Sequence, residues 1–246
     1  MSYASPAISG DFRVGNVLNH AFQICVGNFP FFFIITFVIG LPNLLITLNQ
    51  PVGQPPELGP ILRLLGITLI LGLVLNTIGE AVILYGAFQR LSGRPLQPAE
   101  AFQRALARFF PLLGLALLYA LALVFGLVLL LVPGFILLVM WAVVVPACLV
   151  EGLGPIESMS RSAALTKGHR WQIFGIMIVL GIVNWIGTVV LGFVLRPAGP
   201  VVAALVTLVW TAAWAAYWNC LLIMIYHDLR VAKEGIGTQQ IAAVFD

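Results

Sequence analysis

Long apolar stretches separated by short polar segments form the main pattern along the chain. A membrane-spanning helix needs about 20 apolar residues, because a helix satisfies its own backbone polar groups where water is absent. Six stretches meet this requirement, and the predicted spans are residues 29–48, 64–88, 111–132, 134–150, 173–195 and 201–226. The third and fourth are separated by Val132-Pro133-Gly134, which predicts a tight helical hairpin. Residues 227–246 are predicted to form a tail.

Three shorter segments outside the spans have apolar residues at helical spacing and polar residues on the opposite face. These segments are residues 13–28, 98–109 and 155–168. In the first of them, Val17 and Ala21 belong to an apolar stripe that lies opposite Asn16 and Asn19. A helix of this kind lies in the membrane interface with its apolar face toward lipid. We therefore predict up to three interfacial amphipathic helices on the cytoplasmic side, in addition to the six spans.

The second and third of these segments begin with the same pattern, P-x-E-x-x-x-R. It runs from Pro98 to Arg104 and again from Pro155 to Arg161. Proline and glutamate suit the first turn of a helix, and the arginine is placed to pair with the glutamate four residues earlier. The first segment looks like a degenerate copy with His20 in place of the arginine. This near-repeat predicts three units, each an interfacial helix followed by a transmembrane pair; the alternative is that P-x-E is simply a common helix start.

The composition restricts the fold class further. Of the 246 residues, 61% are hydrophobic and 9% are charged, whereas soluble domains carry about 25% charged residues. A water-soluble fold would lack polar surface at this composition, so the predicted fold class is all-α, a polytopic membrane helix bundle. Cys25, Cys148 and Cys220 lie far apart in the sequence and form no C-x-x-C pair, so we expect no disulfide framework, no metal site and no cofactor.

Lysines and arginines are distributed unevenly between the two sides of the predicted spans. Arg63 and Arg196 fall on one side. The other ten fall on the opposite side and are Arg13, Arg90, Arg94, Arg104, Arg108, Arg161, Lys167, Arg170, Arg230 and Lys233. Because positive charge is retained in the cytoplasm, both termini are predicted to be cytoplasmic.

Glu80 is the only acidic residue in the predicted spans. A charge at the bilayer centre costs about 2.5 kcal/mol or more, so such residues are often functional. Asn76 shares its face of the second span with several glycines, and we expect this face to point into the bundle. Two interpretations remain open: Glu80 belongs to a path for a proton, an ion or a headgroup, or it is protonated and hydrogen-bonded to a neighbouring helix. Asn184, in the fifth span, is a candidate partner of Asn76 or Glu80.

Two further groups of residues are candidates for contacts with lipid or with other proteins. Trp210, Trp214 and Trp218 recur at four-residue spacing in the sixth span, which predicts a helix-packing surface or a surface for another subunit. The candidates for lipid headgroups are Arg104, Arg108, Arg161, Lys167 and Arg170. Each would contribute about 1 kcal/mol of attraction to anionic lipid, although topology alone would also place cations there.

The chain has none of the motifs that would favour an enzyme. It contains no H-E-x-x-H, no G-x-S-x-G and no P-loop, so we expect no catalytic residues. By elimination, it is predicted to be a non-enzymatic protein that organises membrane lipids or serves as an accessory subunit of a larger membrane complex or a homo-oligomer. No nucleic-acid partner is expected. The alternative is a transporter of a small solute, an ion or a lipid that uses Glu80 and Asn76.

Several short motifs carry a resemblance to a known family. They are Pro146, Glu151-Gly152, Pro155, Glu157, Arg161-Ser162, Thr166-Lys167-Gly168, Trp171, Tyr226-His227-Asp228-Leu229-Arg230 and Lys233-Glu234-Gly235, together with Arg13-Val14-Gly15 through Asn28-Phe29. With these motifs the chain resembles bacterial six-helix membrane proteins related to the membrane domain of glycerophosphoryl diester phosphodiesterases. The resemblance implies six helices in a bacterial inner membrane, followed in fused members by a phosphodiesterase barrel. Such a barrel takes about 250 residues, and about twenty follow Tyr226 here, so we do not expect that activity.

Overall fold

The computed structural model describes residues 13–48, 58–129 and 131–235. All regular secondary structure in these ranges is helical, which confirms the all-α fold class. The α-helices are α1 (Val14–Gly27), α2 (Phe29–Leu48), α3 (Leu58–Leu91), α4 (Pro98–Ala107), α5 (Phe109–Leu129), α6 (Leu131–Met140), α7 (Val144–Glu151), α8 (Pro155–Thr166), α9 (Arg170–Val194) and α10 (Pro200–Glu234). A 3₁₀ turn, Arg196–Ala198, connects α9 to α10.

Several helices are long and apolar enough to cross a membrane, and the chain is a multi-pass membrane protein. Five stretches qualify by length and composition: Ile70–Leu91, Phe109–Gly126, Pro133–Glu151, Arg170–Val194 and Pro200–Glu234. A sixth candidate results if α1 and the following part of α2, which meet at a bend of 85°, are counted together. The described residues therefore contain five or six candidate spans, against the six that the sequence predicts.

The last helix is longer than predicted. α10 has 35 residues and continues to Glu234, so the first part of the predicted tail, from residue 227, is helical. Residues 236–246 of that tail lie outside the described residues. At 1.5 Å per residue the helix is about 52 Å long, whereas the hydrocarbon layer is about 30 Å thick. The C-terminal turns of α10 therefore extend beyond the apolar layer.

The predicted hairpin between the third and fourth spans is present, but the chain reverses earlier than expected. α5 ends at Leu129, and α6 begins at Leu131 with Pro133 in its first turn. An N–H in the first turn has no partner within the helix, so proline, which lacks this N–H, costs no hydrogen bond there. The two helices approach closely at their glycines. A Cβ atom on Gly126 would lie 3.1 Å from the Cα of Gly134, so a larger residue at position 126 would separate α5 from α6.

The fourth predicted span, residues 134–150, is not one continuous helix. It breaks between Met140 and Val144, because Pro146 has no N–H to donate to the carbonyl oxygen of residue 142. Side chains of α8 satisfy the backbone at the break. Ser162 Oγ donates to the Met140 carbonyl oxygen (3.0 Å) and accepts from the Val143 N–H (3.3 Å), and Thr166 donates to the same carbonyl oxygen (3.2 Å). Helix α2, in contrast, continues through Pro42.

The order of the elements follows the predicted threefold repeat. A short helix precedes two long apolar segments three times: α1 before α2 and α3, α4 before α5 and the broken pair α6–α7, and α8 before α9 and α10. Each short helix packs chiefly on the helix that closes another unit, with α4 on α3, α8 on α7 and α1 on α10. Because α1 contacts the last helix of the chain, the three units close into a ring.

The buried faces of the three short helices occupy equivalent repeat positions. In each repeat, the residue three positions before the repeat arginine (His20 in the first copy) and the residue directly after it are fully buried. These pairs are Val17 and Ala21, Ala101 and Ala105, and Ser158 and Ser162. Small side chains here let each short helix approach the long helix beside it. The prediction that the stripe with Val17 and Ala21 faces lipid is therefore wrong for these residues, which face protein. Larger neighbours in α1 and α4, Phe22 and Phe102, remain exposed.

Candidate functional site

An ion-pair network connects α7, α8 and α10 at one end of the bundle. Arg161 Nε donates to both carboxylate oxygens of Glu151 (3.0 and 2.8 Å), and its Nη2 lies 2.5 Å from Glu234 Oε1. Arg230 donates to Glu234 (3.1 Å) and to the Tyr226 hydroxyl oxygen (3.1 Å). Tyr226 in turn donates to Glu151 (2.8 Å). Two cations and two carboxylates thus neutralise one another.

The electrostatics of this network favour a permanent charge on Arg161. Burial disfavours the charged guanidinium, but hydrogen bonds and the negative charges of Glu151 and Glu234 outweigh burial and raise the pKa of Arg161 above its usual value. A guanidinium is already protonated throughout the physiological range. The charge of Arg161 is therefore constant near neutral pH, and the ion pairs of the network hold α8 against α7 and α10.

The Glu–Arg pairing predicted within each repeat is wrong. Arg161 pairs with Glu151 and Glu234, which the chain folding brings to it, while Glu157 accepts a hydrogen bond from the Gly154 N–H (3.0 Å) at the start of its own helix. The arginine side chain reaches a neighbouring helix because two charged partners there are partly shielded from water. A Glu–Arg pair within one exposed helix would contribute less to the stability of the protein.

Glu100, the equivalent of Glu157, also contacts a neighbouring helix. It accepts hydrogen bonds from the Tyr85 hydroxyl (2.7 Å) and from Gln89 Nε2 (2.8 Å), both in the last turns of α3. Gln89 accepts in turn from the Gln97 N–H (3.0 Å), directly before α4. This contact fixes α4 at the same end of the bundle as α8.

Two of the predicted headgroup ligands lie over protein groups at this end. The guanidinium carbon of Arg104 lies 5.8 Å from the centre of the Tyr85 ring, in a cation–π contact. Arg108 lies over Gly152, which ends α7 with a left-handed φ of +72°. A Cβ at position 152 would collide with the Arg108 guanidinium, so a glycine is required there for both conformation and space. Arg104 and Arg108 are half-buried.

Of the other three predicted headgroup ligands, Arg161 belongs to the ion-pair network, and the remaining two come together with a third cation. Lys167 follows α8 directly and is exposed, and Arg170 begins α9. Both lie within electrostatic reach of Lys233, in the last turn of α10. We refer to Lys167, Arg170 and Lys233 as the cation cluster. From the sequence, Lys233 contributes to the prediction of topology and to the family resemblance. Its distance from Lys167 along the chain leaves no pattern that joins the two residues.

No protein-family model, curated protein or solved structure matches this chain at a significant level. The resemblance to the membrane domain of glycerophosphoryl diester phosphodiesterases therefore stays a prediction. The folded chain does bring several of the residues that carry this resemblance together. Those in the ion-pair network are Glu151, Arg161, Tyr226, Arg230 and Glu234.

Within the membrane-spanning part, Glu80 lies near one member of an aromatic pair. Tyr119 of α5 lies within electrostatic reach of Glu80, and the Tyr119 ring lies 6.2 Å from the ring of Trp141. Trp141 is the first residue of the break between α6 and α7. Within the described residues the Glu80 carboxyl group makes no hydrogen bond, so the hydrogen bond to a neighbouring helix that one interpretation requires is not observed.

The two asparagines do not join this group. Asn76 is exposed and donates to the Gly72 carbonyl oxygen of its own helix (2.7 Å), so the prediction that it faces into the bundle is wrong. Asn184 Oδ1 is buried without a hydrogen-bond partner, so Asn184 is not the partner of Asn76 or Glu80. The reason lies in the packing: α9, which carries Asn184, packs against α10 and α6.

The tryptophan stripe of α10 packs within the chain. Trp210 lies on Gly187 of α9 and stacks on Trp214 with ring centres 5.9 Å apart. Trp218 packs against the core, and Trp214 contacts Tyr217. This surface therefore serves helix packing, the first of the two alternatives, and all three tryptophans are half-buried.

The arrangement at this end offers charge but no assembled metal site. In the described part of the chain, no group of three or more histidine, cysteine or acidic residues is placed to hold a metal ion. What the described residues do offer is one neutralised network and one cluster of cations beside it. Such a combination positions helices and attracts anions.

Proposed function

We propose that this chain is a non-enzymatic protein of a bacterial cytoplasmic membrane that binds and organises anionic lipids along one leaflet. One observation carries the proposal. The three short helices that close the ring expose large apolar side chains, and two of them, α4 and α8, also carry cations, as membrane-interface helices do. The exposed side chains are Phe22 and Val26 on α1, Phe102 and Leu106 on α4, and Ile156 on α8.

The position of these side chains supports an interfacial role. In a water-soluble protein, phenylalanine and leucine exposed on short polar helices would be unfavourable, because their apolar surface would contact water. At a bilayer surface the same residues enter the acyl region while neighbouring arginines and lysines reach the phosphates. We place this end of the bundle, with both termini, in the cytoplasm, since all but two of the lysines and arginines fall on that side of the predicted spans.

The test is native mass spectrometry of the chain purified in mild detergent from membranes that contain zwitterionic and anionic phospholipids. We expect retained phospholipid that is enriched in anionic species relative to the membrane. A protein that retains no phospholipid, or retains it in the membrane's own proportions, would contradict the proposal. A stoichiometric companion protein in place of lipid would favour the role of an accessory subunit.

Transport is a second candidate, favoured by the position of Glu80 near Tyr119, whose ring contacts Trp141 at the broken span. Interrupted helices near an intramembrane acid are typical of transporter binding sites. In proteoliposomes with a pH-sensitive dye inside, a proton-coupled transporter would conduct protons and Glu80→Gln would abolish the signal. Asn76→Leu is the matched control, since Asn76 is one turn away but exposed. Equal, background-level signals from wild type and both variants would exclude proton transport.

A further inference from the structure

We infer that the cation cluster is a binding site for the phosphate group of an anionic phospholipid. The cluster consists of Lys167, Arg170 and Lys233, which the fold collects from the end of α8, the start of α9 and the end of α10. This inference rests on the proposed lipid-organising function and gives that function a defined site. Four features of the cluster support it: convergence, lack of neutralisation, unmet hydrogen-bonding capacity and depth in the membrane.

The C-terminal end of α8 brings the three cations of the cluster together. Lys233 Nζ donates to the carbonyl oxygen of Ala164, and Arg170 Nη2 lies 3.5 Å from the carbonyl oxygen of Ala163. The carbonyl groups of a last helical turn have no partner within the helix and carry the negative end of its dipole. They hold two long, flexible side chains at one place, and Lys167 is attached directly to the same turn.

The neighbouring carboxylates are already engaged. Glu234, adjacent to Lys233 in sequence, binds Arg161 and Arg230. Asp228 lies 3.1 Å from His227 Nδ1, and Glu157 binds the N-terminus of α8, at the far end of that helix. Lys233 is repelled by both Lys167 and Arg170, and an anion between the three cations would remove that repulsion.

The arginine of the cluster has hydrogen-bonding capacity that the protein does not use. Arg170 Nε is buried without a partner, and its Nη2 contact is at the outer limit of hydrogen-bond length. Guanidinium and ammonium groups form shorter and stronger hydrogen bonds to phosphate oxygens than to neutral carbonyl oxygens. A small rotation of the Arg170 side chain would replace the Ala163 carbonyl oxygen by a phosphate oxygen as the acceptor.

The depth of the cluster matches a headgroup. Trp171, next to Arg170, is 85% exposed, and tryptophan is enriched at the level of lipid headgroups. Lys233 stands at the end of α10, beyond the length needed to cross the hydrocarbon layer. A free phosphate has the same chemistry as a lipid phosphate, but the exposed indole beside the cluster favours a ligand that continues into acyl chains. We therefore assign the site to phosphatidylglycerol-like or cardiolipin-like lipids.

The experiment compares two triple variants that remove the same charge. Lys167→Gln/Arg170→Gln/Lys233→Gln removes the cluster, and Arg13→Gln/Arg94→Gln/Arg196→Gln removes three exposed cations elsewhere. Both are titrated with phosphatidylglycerol and cardiolipin in phosphatidylcholine nanodiscs, and bound lipid is counted by native mass spectrometry. We expect the first variant to lose roughly tenfold to hundredfold in anionic-lipid affinity, since each cation contributes about a factor of five. The second variant should change by less than about threefold.

Further measurements keep the outcome decisive. Lys167→Gln alone, at an exposed position after α8, should fold normally and lose a few-fold in affinity, so a folding defect in the triple variant does not hide the result. Equal losses in the two triple variants, with anionic lipid still retained by wild type, would overturn the site but leave the lipid-organising function in place. Displacement of lipid by millimolar glycerol 3-phosphate or inorganic phosphate would overturn the assignment to lipid and identify a soluble phosphate as the ligand.

Discussion

At the residue scale, nearby charges at one end of this protein have different roles because of their partners. Arg161 and Arg230 are matched by Glu151 and Glu234 and hold helices together. Lys167 is exposed and stands at the end of the same helix, α8. A count of cations along the sequence treats all of them alike. Only the positions of the carboxylates in the folded chain distinguish a structural arginine from a cation that is free to bind an anion.

Glu151→Gln should destabilise the protein by about 2 kcal/mol, because removing one charge of a shielded network leaves its partners under-compensated. For a chain of this size, that is a decrease in Tm of roughly 4–8 °C, measured by thermal unfolding in detergent. The control is Glu157→Gln. Glu157 is an acid at the same junction whose role is limited to capping the start of α8, so its replacement should lower the free energy of unfolding by about 0.5 kcal/mol. Similar Tm values for the two variants would contradict the role given to the network.

At the element scale, α8 links the membrane surface to the interior of the bundle. Its buried face presents Ser158, Ser162 and Thr166 at four-residue spacing, and two of these hydroxyls satisfy the Met140 carbonyl oxygen at the broken fourth span. The pattern of small polar residues is visible in the sequence. It has no evident meaning there, because hydropathy predicts an unbroken fourth span, and without a break there is no free backbone group for these hydroxyls to meet.

Ser162→Ala should lower the free energy of unfolding by about 1–3 kcal/mol, because it leaves the Val143 N–H without a partner in a dry environment. Ser160→Ala is the matched control, since Ser160 is on the same helix but exposed, and should change stability by less than about 0.5 kcal/mol. Thermal unfolding of both variants in the same detergent makes the comparison. If the control were the more damaging change, the assignment of the buried face of α8 would be wrong.

The contact between α9 and α10 depends on one glycine. A Cβ at Gly187 would collide with the rigid ring of Trp210, so Gly187→Ala should separate the helices and cost about 1–3 kcal/mol. Gly181→Ala, in the same helix, would place its methyl group in open space with no neighbouring side chain within 4 Å, and should be neutral or slightly stabilising through helix propensity. Limited proteolysis and thermal unfolding of the pair provide the measurement. Equal behaviour of the two variants would show that Trp210 moves aside without cost.

At the scale of the whole molecule, the chain forms a ring because its first helix packs on its last. The contact between α1 and α10 brings the thiols of Cys25 and Cys220 close to one another, although they are the most distant pair of cysteines in the sequence. Both are buried, as expected for apolar fillers. Their proximity, however, could not be read from spacing, because nothing in the sequence specifies which helices become neighbours at the ends of the chain.

Mild oxidation provides a test of this closure. Treating membranes with diamide should convert the two thiols into one intramolecular disulfide, seen as a faster-migrating band on a non-reducing gel. Cys25→Ser or Cys220→Ser should abolish that band, while Cys148→Ser should leave it unchanged, because Cys148 contacts the Leu153 carbonyl oxygen in its own junction (3.4 Å). A band that persists in Cys25→Ser would mean that α1 does not pack on α10 as described.

The sequence by itself determined that the chain folds in a membrane, that its secondary structure is helical and in which order the helices follow, but not the break in the fourth span or the full length of α10. Apolar stretches of sufficient length must form helices in a bilayer, so hydropathy alone predicts the spans, and the repeated P-x-E pattern marks α4 and α8. The tertiary structure decided which residues meet: the partners of Arg161, the cluster with Lys233, the position of Asn184 and the repair of the broken span. The physical reason is that hydropathy and helical periodicity act locally along the chain, whereas ion pairs and packing contacts depend on distances between helices that local pattern does not encode.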